Sequence, residues 1–264
     1  VGSRDFMPGR HALLVPKTQD GRVLFAVPWM GALILGTTDT PRQDLPREPQ
    51  AFEAELDFIL SEASKVLSRP VTRADVQSMW VGLRPLVGSN QAQTGTQSLS
   101  REHTIVTDDN GLITVTGGKW TTYRAMAEDV LQKCLDHALI TAKSPASTEH
   151  LALVGSDVAS PVSICEPEGS HSYGSEQEVL NRLPGSQHWL THGLSEAMVR
   201  FAARYEYALR VEDVLARRSR LLFLDAQRAA QIAPAVAEIL QSETGIDPDV
   251  QGFLKLATQY TLAS

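Results

Sequence analysis

The stretch 113–124, ITVTGGKWTTYR, decides how this chain is read. Ile113 and Val115 alternate with threonines, a β-type pattern that ends in Gly117-Gly118-Lys119. Polar residues then give way to AMAEDVLQKCL (125–135), which reads as a helix. The first N–H groups of a helix lack intrahelical partners and point along the positive end of its dipole. Glycines just before them let a ligand approach the backbone closely. Such a junction favours an anion or an electron-rich carbonyl. Lys119 adds a charge, and Thr121 and Thr122 add hydroxyls. The alternative is a βα turn that needs glycine for steric reasons, with Lys119 solvated, and the motif alone leaves both open.

Two nucleotide signatures are excluded. A P-loop, GxxxxGK[ST], needs glycine where Ile113 stands and a hydroxyl residue where Trp120 stands. A GxGxxG dinucleotide fingerprint is absent from the chain.

Working outward, residues 101–118 read as a hairpin around Asp109-Asn110-Gly111, followed by a helix over 121–139. Upstream, Ala12–Val15, Val23–Val27 and Ala32–Leu35 are short apolar runs separated by Asp20-Gly21, Pro28 and Gly31, which predicts antiparallel strands. Residues 41–50 form a proline-rich loop. Phe52, Leu56, Ile59, Leu60 and Ala63 then share one face of an amphipathic helix. Residues 74–88 read as strand then turn, and 89–100 as a polar loop. Residues 141–175 read as a linker rich in Ser, Pro and Gly, with one ordered turn near Leu151–Val154. Residues 176–264 are helical in pattern, with Ser195, Asp225 and Asp247 as candidate N-caps and Gly245 as a candidate stop.

The expected fold class is therefore α+β: an antiparallel sheet with a terminal βα unit, then an all-helical domain. The expected division is 1–140, a linker over 141–175, and 176–264. The chain opens VGSRDF without an initiator Met and soon enters strand-like sequence, which reads as a piece of a longer protein.

Composition narrows the function. The chain has 264 residues, 42% of them hydrophobic, enough apolar material for one or two cores. Net charge is −7, and acids outnumber bases both before and after residue 140, so nucleic acid is not an expected partner. The two cysteines, Cys134 and Cys165, form no metal-binding pattern. His188 and His192 stand four apart but lack a third ligand, so no metal is expected. No apolar run approaches the ~20 residues that span a bilayer.

Two arginines carry chemistry. Arg84, in GLRPL, is held between Gly82 and Pro85 and flanked by Leu83 and Leu86. Arg101 opens the strand after the polar loop, in LSREHTI. Surface solvation is the common fate of an arginine. A guanidinium among apolar neighbours instead suits a bidentate anion such as carboxylate or phosphate.

VLFAVPWMGALILGTTDTP, WVGLRPL, SREHTI and VTGGKWTTYRAMAED, in that order, resemble the FAD-dependent, membrane-associated glycerol-3-phosphate dehydrogenases. The likeness is close over 11–135 and extends to YEYALRVEDVLARRSRLLFLDAQRAA in the tail. It implies a full-length enzyme that oxidises sn-glycerol 3-phosphate to dihydroxyacetone phosphate, with hydride going to FAD and electrons on to quinone. It implies flavin contacts at Gly117, Gly118, Lys119, Trp120 and Thr121. Substrate contacts would fall to Arg84, Arg101 and Lys119, with Arg101 on the phosphate and Arg84 and Lys119 near the reacting oxygen. His103, two residues from Arg101 on the same strand face, is a candidate base by proximity alone, and a structural histidine is the preferred reading. Thr37, Thr38 and Asp39 read as turn chemistry.

The resemblance further implies an N-terminal FAD-binding segment that this chain lacks, so the fragment alone would be inactive. It implies work on the inner face of the cytoplasmic membrane, as a peripheral protein. The basic cluster ARRSR (216–220) then has two readings, contact with lipid headgroups or pairing with Glu212, Asp213 and Asp225, and the second is preferred. The alternatives in function are a related glycerophosphate oxidase using oxygen, and a non-catalytic helical interaction module.

Overall fold

The computed structural model describes residues 1–18, 21–83, 102–145, 147–158 and 161–262. They fall into two compact units. The first comprises 1–40, 46–81 and 154–264, and the second 41–45 and 82–153.

The first unit contains a four-stranded antiparallel sheet: β1 (Gly2–Ser3), β2 (Leu13–Val15), β3 (Leu24–Trp29) and β4 (Ala32–Gly36), in the order β1-β4-β3-β2. Alternation sets its buried face. Leu24 and Ala26 are fully buried, while Phe25 between them is exposed. Helix α1 (Glu53–Ser64) supplies Leu56, Leu60 and Ala63 to the same core, with Phe6, Leu33 and Val71. Each fully buried leucine contributes about 2 kcal/mol through apolar burial. The first turn of α1 is closed by Glu55, whose Oε2 accepts from the Phe52 N–H at 2.9 Å.

The helical part of this unit is built from α3 (Gln177–Asn181), α4 (Glu196–Tyr205), α5 (Leu221–Leu224), α6 (Ala226–Thr244) and α7 (Val250–Ala257), with a small β7–β8 ribbon (Trp189–Thr191, Leu194–Ser195). Its core is dense: Phe201, Leu215, Leu222, Val236, Leu240 and Phe253 are each at most 2% exposed. Ser195 caps α4 by accepting from the Met198 N–H, Asp225 caps α6 by accepting from the Arg228 N–H, and Gly245 stops α6 in the left-handed region. The cap of α7 is Asp249 rather than Asp247, whose carboxylate instead accepts from the Asp249 N–H. The helical pattern of 195–224 is also interrupted. Tyr207 and Arg220 adopt left-handed backbone, and Asp213–Arg218 forms a π-helical turn.

Two further expectations are corrected. Residues 76–83 form no strand. They run extended between elements, with Met79 N–H donating to Tyr260 O and the Ser78 hydroxyl donating to Leu222 O. Part of the stretch read as linker is built in. Met30 and Gly31 donate their N–H groups to Ile164 O and Cys165 O, and Cys165 is buried.

The second unit is a hairpin, β5 (His103–Thr107) and β6 (Ile113–Gly117), followed by α2 (Tyr123–Asp136). Gly111 makes the turn at φ 85°. None of the residues of α2 is buried. In both units the architecture is the mixed α+β type that the sequence predicts.

Candidate functional site

The site grows from the end of β6. Gly117 and Gly118 take φ of 78° and 88°, a conformation that side-chain-bearing residues rarely adopt. Together they turn the chain out of the hairpin and into a single 3-10 turn, Trp120–Thr122, that leads directly into α2. Space is tight as well as conformation special. A Cβ on Gly118 would meet the Met126 methyl at 2.5 Å and the His103 Cβ at 3.2 Å.

No side chain caps either the 3-10 turn or the start of α2. Lys119, Trp120, Thr121 and Thr122 are all exposed around these amide groups. Trp120 is 84% exposed and stacks on Tyr123, ring centroids 5.3 Å apart. Beyond that stack Trp120 offers an open aromatic face in this unit.

His103 lies opposite Gly117 in the hairpin register, and its Nε2 sits 2.9 Å from Asp129 Oδ2 on α2. This contact fixes the helix to the strand beside the glycine turn. It gives His103 a structural partner, whichever of its two sequence readings holds. Asp129 and the Trp120–Tyr123 stack were not foreseen. The signal for Asp129 was an acid on α2 within reach of a strand histidine.

Of the predicted site residues, Gly117, Gly118, Lys119, Trp120 and Thr121 form one continuous stretch, half-buried at the glycines and exposed from Lys119 on. Arg84 and Arg101 lie outside the described residues. Among the described residues no group of three or more His, Cys, Asp or Glu could hold a metal ion. His188 and His192 flank β7 rather than sharing a helix, and His188 faces Glu196 at 3.6 Å. The arginines of 216–220 are paired: Arg217 with Glu212 and Asp213, Arg218 with Asp213, and Arg220 with Glu168. Asp225, expected among the partners, caps α6 instead.

A strand end, a glycine doublet and a helix start without a side-chain cap thus lie side by side. Residues 4–124 match the family model described as FAD dependent oxidoreductase. Residues 146–251 match the one described as the C-terminal domain of alpha-glycerophosphate oxidase. The mitochondrial glycerol-3-phosphate dehydrogenase SDP6 of Arabidopsis thaliana is 36% identical over 269 residues, covering 90% of this chain and 42% of that protein. The Homo sapiens mitochondrial glycerol-3-phosphate dehydrogenase is 35% identical, covering 94% of this chain and 37% of that protein. The solved glycerol-3-phosphate dehydrogenase of Bacillus halodurans, complexed with FAD, shares the fold with a TM-score of 0.75. It is 24% identical and covers 98% of this chain and 54% of its own. Over nine tenths of its length the chain is thus similar to glycerol-3-phosphate dehydrogenases, with an FAD dependent oxidoreductase match in its first half. It spans about two fifths of the length of the curated relatives it matches.

Proposed function

We infer that the protein carrying this chain oxidises glycerol 3-phosphate to dihydroxyacetone phosphate, with FAD accepting the hydride. Support comes from the relatives' shared activity name and from the glycine turn at 117–118. The glycine turn carries the argument, because it brings the open edge at 119–122 to a helix start that no side chain caps.

The residues fit a flavin. The Gly117-Gly118 backbone turns the chain from β6 toward α2, and the N–H groups at the start of α2 can donate to a ring carbonyl. Bound there, the flavin supplies the hydride acceptor. Negative charge developing on the ring would be stabilised by those N–H groups, by the positive end of the helix dipole, and by the Lys119 ammonium. Trp120 offers an apolar face that excludes water from one side. Thr121 offers a hydroxyl at the same edge.

Oxidation removes a hydride from C2 and a proton from its hydroxyl, so the site must bind a phosphate dianion and steady an alkoxide-like oxygen. Arginines at 84 and 101 suit those tasks by residue type. A dinucleotide-binding segment would complete the flavin site, in keeping with relatives more than twice as long. We extend the reading to electron transfer onward to quinone at a membrane surface, with the protein peripheral on the cytoplasmic face. Among the described residues no helix is long and apolar enough to cross a membrane.

Purified full-length protein tests the reading. It should be yellow, and its flavin absorbance should bleach on anaerobic addition of glycerol 3-phosphate. Arg84→Ala should slow bleaching at least a hundredfold and leave the flavin bound. Colourless protein indifferent to this substrate would remove the enzyme reading in favour of a binding module.

A further inference from the structure

Residues 77–80 form neither strand nor helix, yet each is anchored to the helical part of the first unit or to the tail beyond α7. Gln77 O accepts from the Ala226 N–H, at the start of α6, at 3.2 Å. The Ser78 hydroxyl donates to Leu222 O at 2.7 Å. The Met79 N–H donates to Tyr260 O at 2.8 Å. The Trp80 ring meets Phe223 of α5 edge to face, with centroids 5.6 Å apart and planes at 81°.

Phe223 is the centre of this brace. Tyr260 also packs edge to face on it, with centroids 5.6 Å apart and planes at 77°. Tyr260 is itself tied down, its hydroxyl donating to Glu48 Oε2 at 3.3 Å. Edge-to-face contacts fix the orientation of a ring as well as its distance. Trp80 stays 44% exposed, so the contact orients it more than it buries it. An irregular segment has no ladder of hydrogen bonds to set its path, so its course depends on anchors of this kind.

The anchored residues stand next to the candidate chemistry in sequence. The first unit's stretch 46–81 ends one residue after Trp80, and Arg84 follows three residues later. Groups that act on a reacting atom tolerate little error in placement: about 1 Å can cost about a hundredfold in rate.

We propose, on the reading of Arg84 as a substrate-facing group, that Phe223 is a positioning residue: with Trp80 and Tyr260 it fixes the segment leading to Arg84 and so sets how well that guanidinium serves the reacting oxygen.

The test is a double-mutant cycle in full-length protein, read as the rate of flavin bleaching at saturating glycerol 3-phosphate. Phe223→Leu keeps an apolar side chain and deletes both ring contacts. It should slow bleaching about tenfold, change KM little and leave the flavin bound. Phe223→Tyr, which keeps the ring, should bleach like wild type. In an Arg84→Ala background Phe223→Leu should slow bleaching no further, because the group it positions is gone. Hydrogen exchange at the Met79 amide, which needs no substrate, should quicken in Phe223→Leu and not in Phe223→Tyr. If Phe223→Leu fails to fold, Tyr260→Leu takes its place in the cycle with the same expectations. Undiminished bleaching by a folded Phe223→Leu overturns the proposal, and so does slowing that adds to that of Arg84→Ala, which a purely structural role would give. A wild type that does not bleach overturns the inferred activity and this proposal together, whereas failure of the cycle in a wild type that bleaches overturns this proposal alone.

Discussion

Asp129 Oδ2 lies 2.9 Å from His103 Nε2, joining the middle of α2 to the start of β5. Because His103 pairs with Gly117 across the hairpin, this one contact holds the helix against the strand end from which the glycine turn departs. Asp129 is 57% exposed, so the pair itself is worth little, about 0.5–1 kcal/mol. Its positional effect should be larger than its energetic one. Asp129→Ala should lower the urea midpoint slightly. In full-length protein it should weaken flavin binding several-fold. Unchanged flavin affinity would show that α2 is oriented by other contacts.

Two buried-edge glutamates of the first unit should bend the pH–stability curve in opposite directions. Glu168 has its carboxyl raised to about 7, chiefly by burial. Its folded state binds the proton more tightly than the unfolded chain does, so its contribution is fully present below about 4.5 and is lost as pH rises through 7. Glu243 has its carboxyl lowered, first by the hydrogen bonds from Arg204 and, despite some burial, by those from Arg200. Its contribution is present above the unfolded value and is lost as pH falls. Urea midpoints measured from pH 4 to 8 should therefore lose their upper-limb slope in Glu168→Gln and their acid-limb slope in Glu243→Gln. Parallel curves for wild type and Glu168→Gln would mean that folding leaves the affinity of Glu168 for its proton unchanged.

The Ser78 hydroxyl donates to Leu222 O at 2.7 Å, and Ser78 is fully buried. Ser78→Ala removes the donor and leaves a buried carbonyl short of one partner, so it should cost about 1–2 kcal/mol. Chemical denaturation reads this directly. A loss below a few tenths of a kcal/mol would mean that Leu222 O is satisfied without it.

Ser78 also shows what the sequence could not convey. Its segment, 76–83, has the apolar content of a strand, but its long-range backbone hydrogen bonds are scattered over Val1, Ala226 and Tyr260. Periodicity reports burial and extension, not the identity of the partner. Strands β2, β3 and β4 were legible because local alternation and turn residues specify them. Pro28, expected as punctuation, sits inside β3 instead, beyond Ala26 where the pairing with β2 stops and an edge tolerates it. The glycine turn was legible for the same local reason, since a doublet between strand and helix has few uses. The brace around Phe223 was not. Its members come from 77–80, 222–226 and 260, and their meeting is a property of three dimensions alone.

Gly118 separates backbone strain from crowding. Its φ of 88° disfavours any side chain by about 1 kcal/mol, and a Cβ there would press on the Met126 methyl at 2.5 Å. Gly118→Ala should therefore destabilise the second unit by about 1–3 kcal/mol and, in full-length protein, lower flavin affinity at least tenfold. Met126→Ala added to it should relieve the crowding, since the offending atoms are the far end of a flexible side chain. It should recover part of the stability but not the flavin affinity, because the positive φ at 118 still disfavours a side chain and the turn that leads into α2 stays distorted. Recovery of both together would mean that Gly118 is there for packing against α2, and the flavin would then have to be held elsewhere.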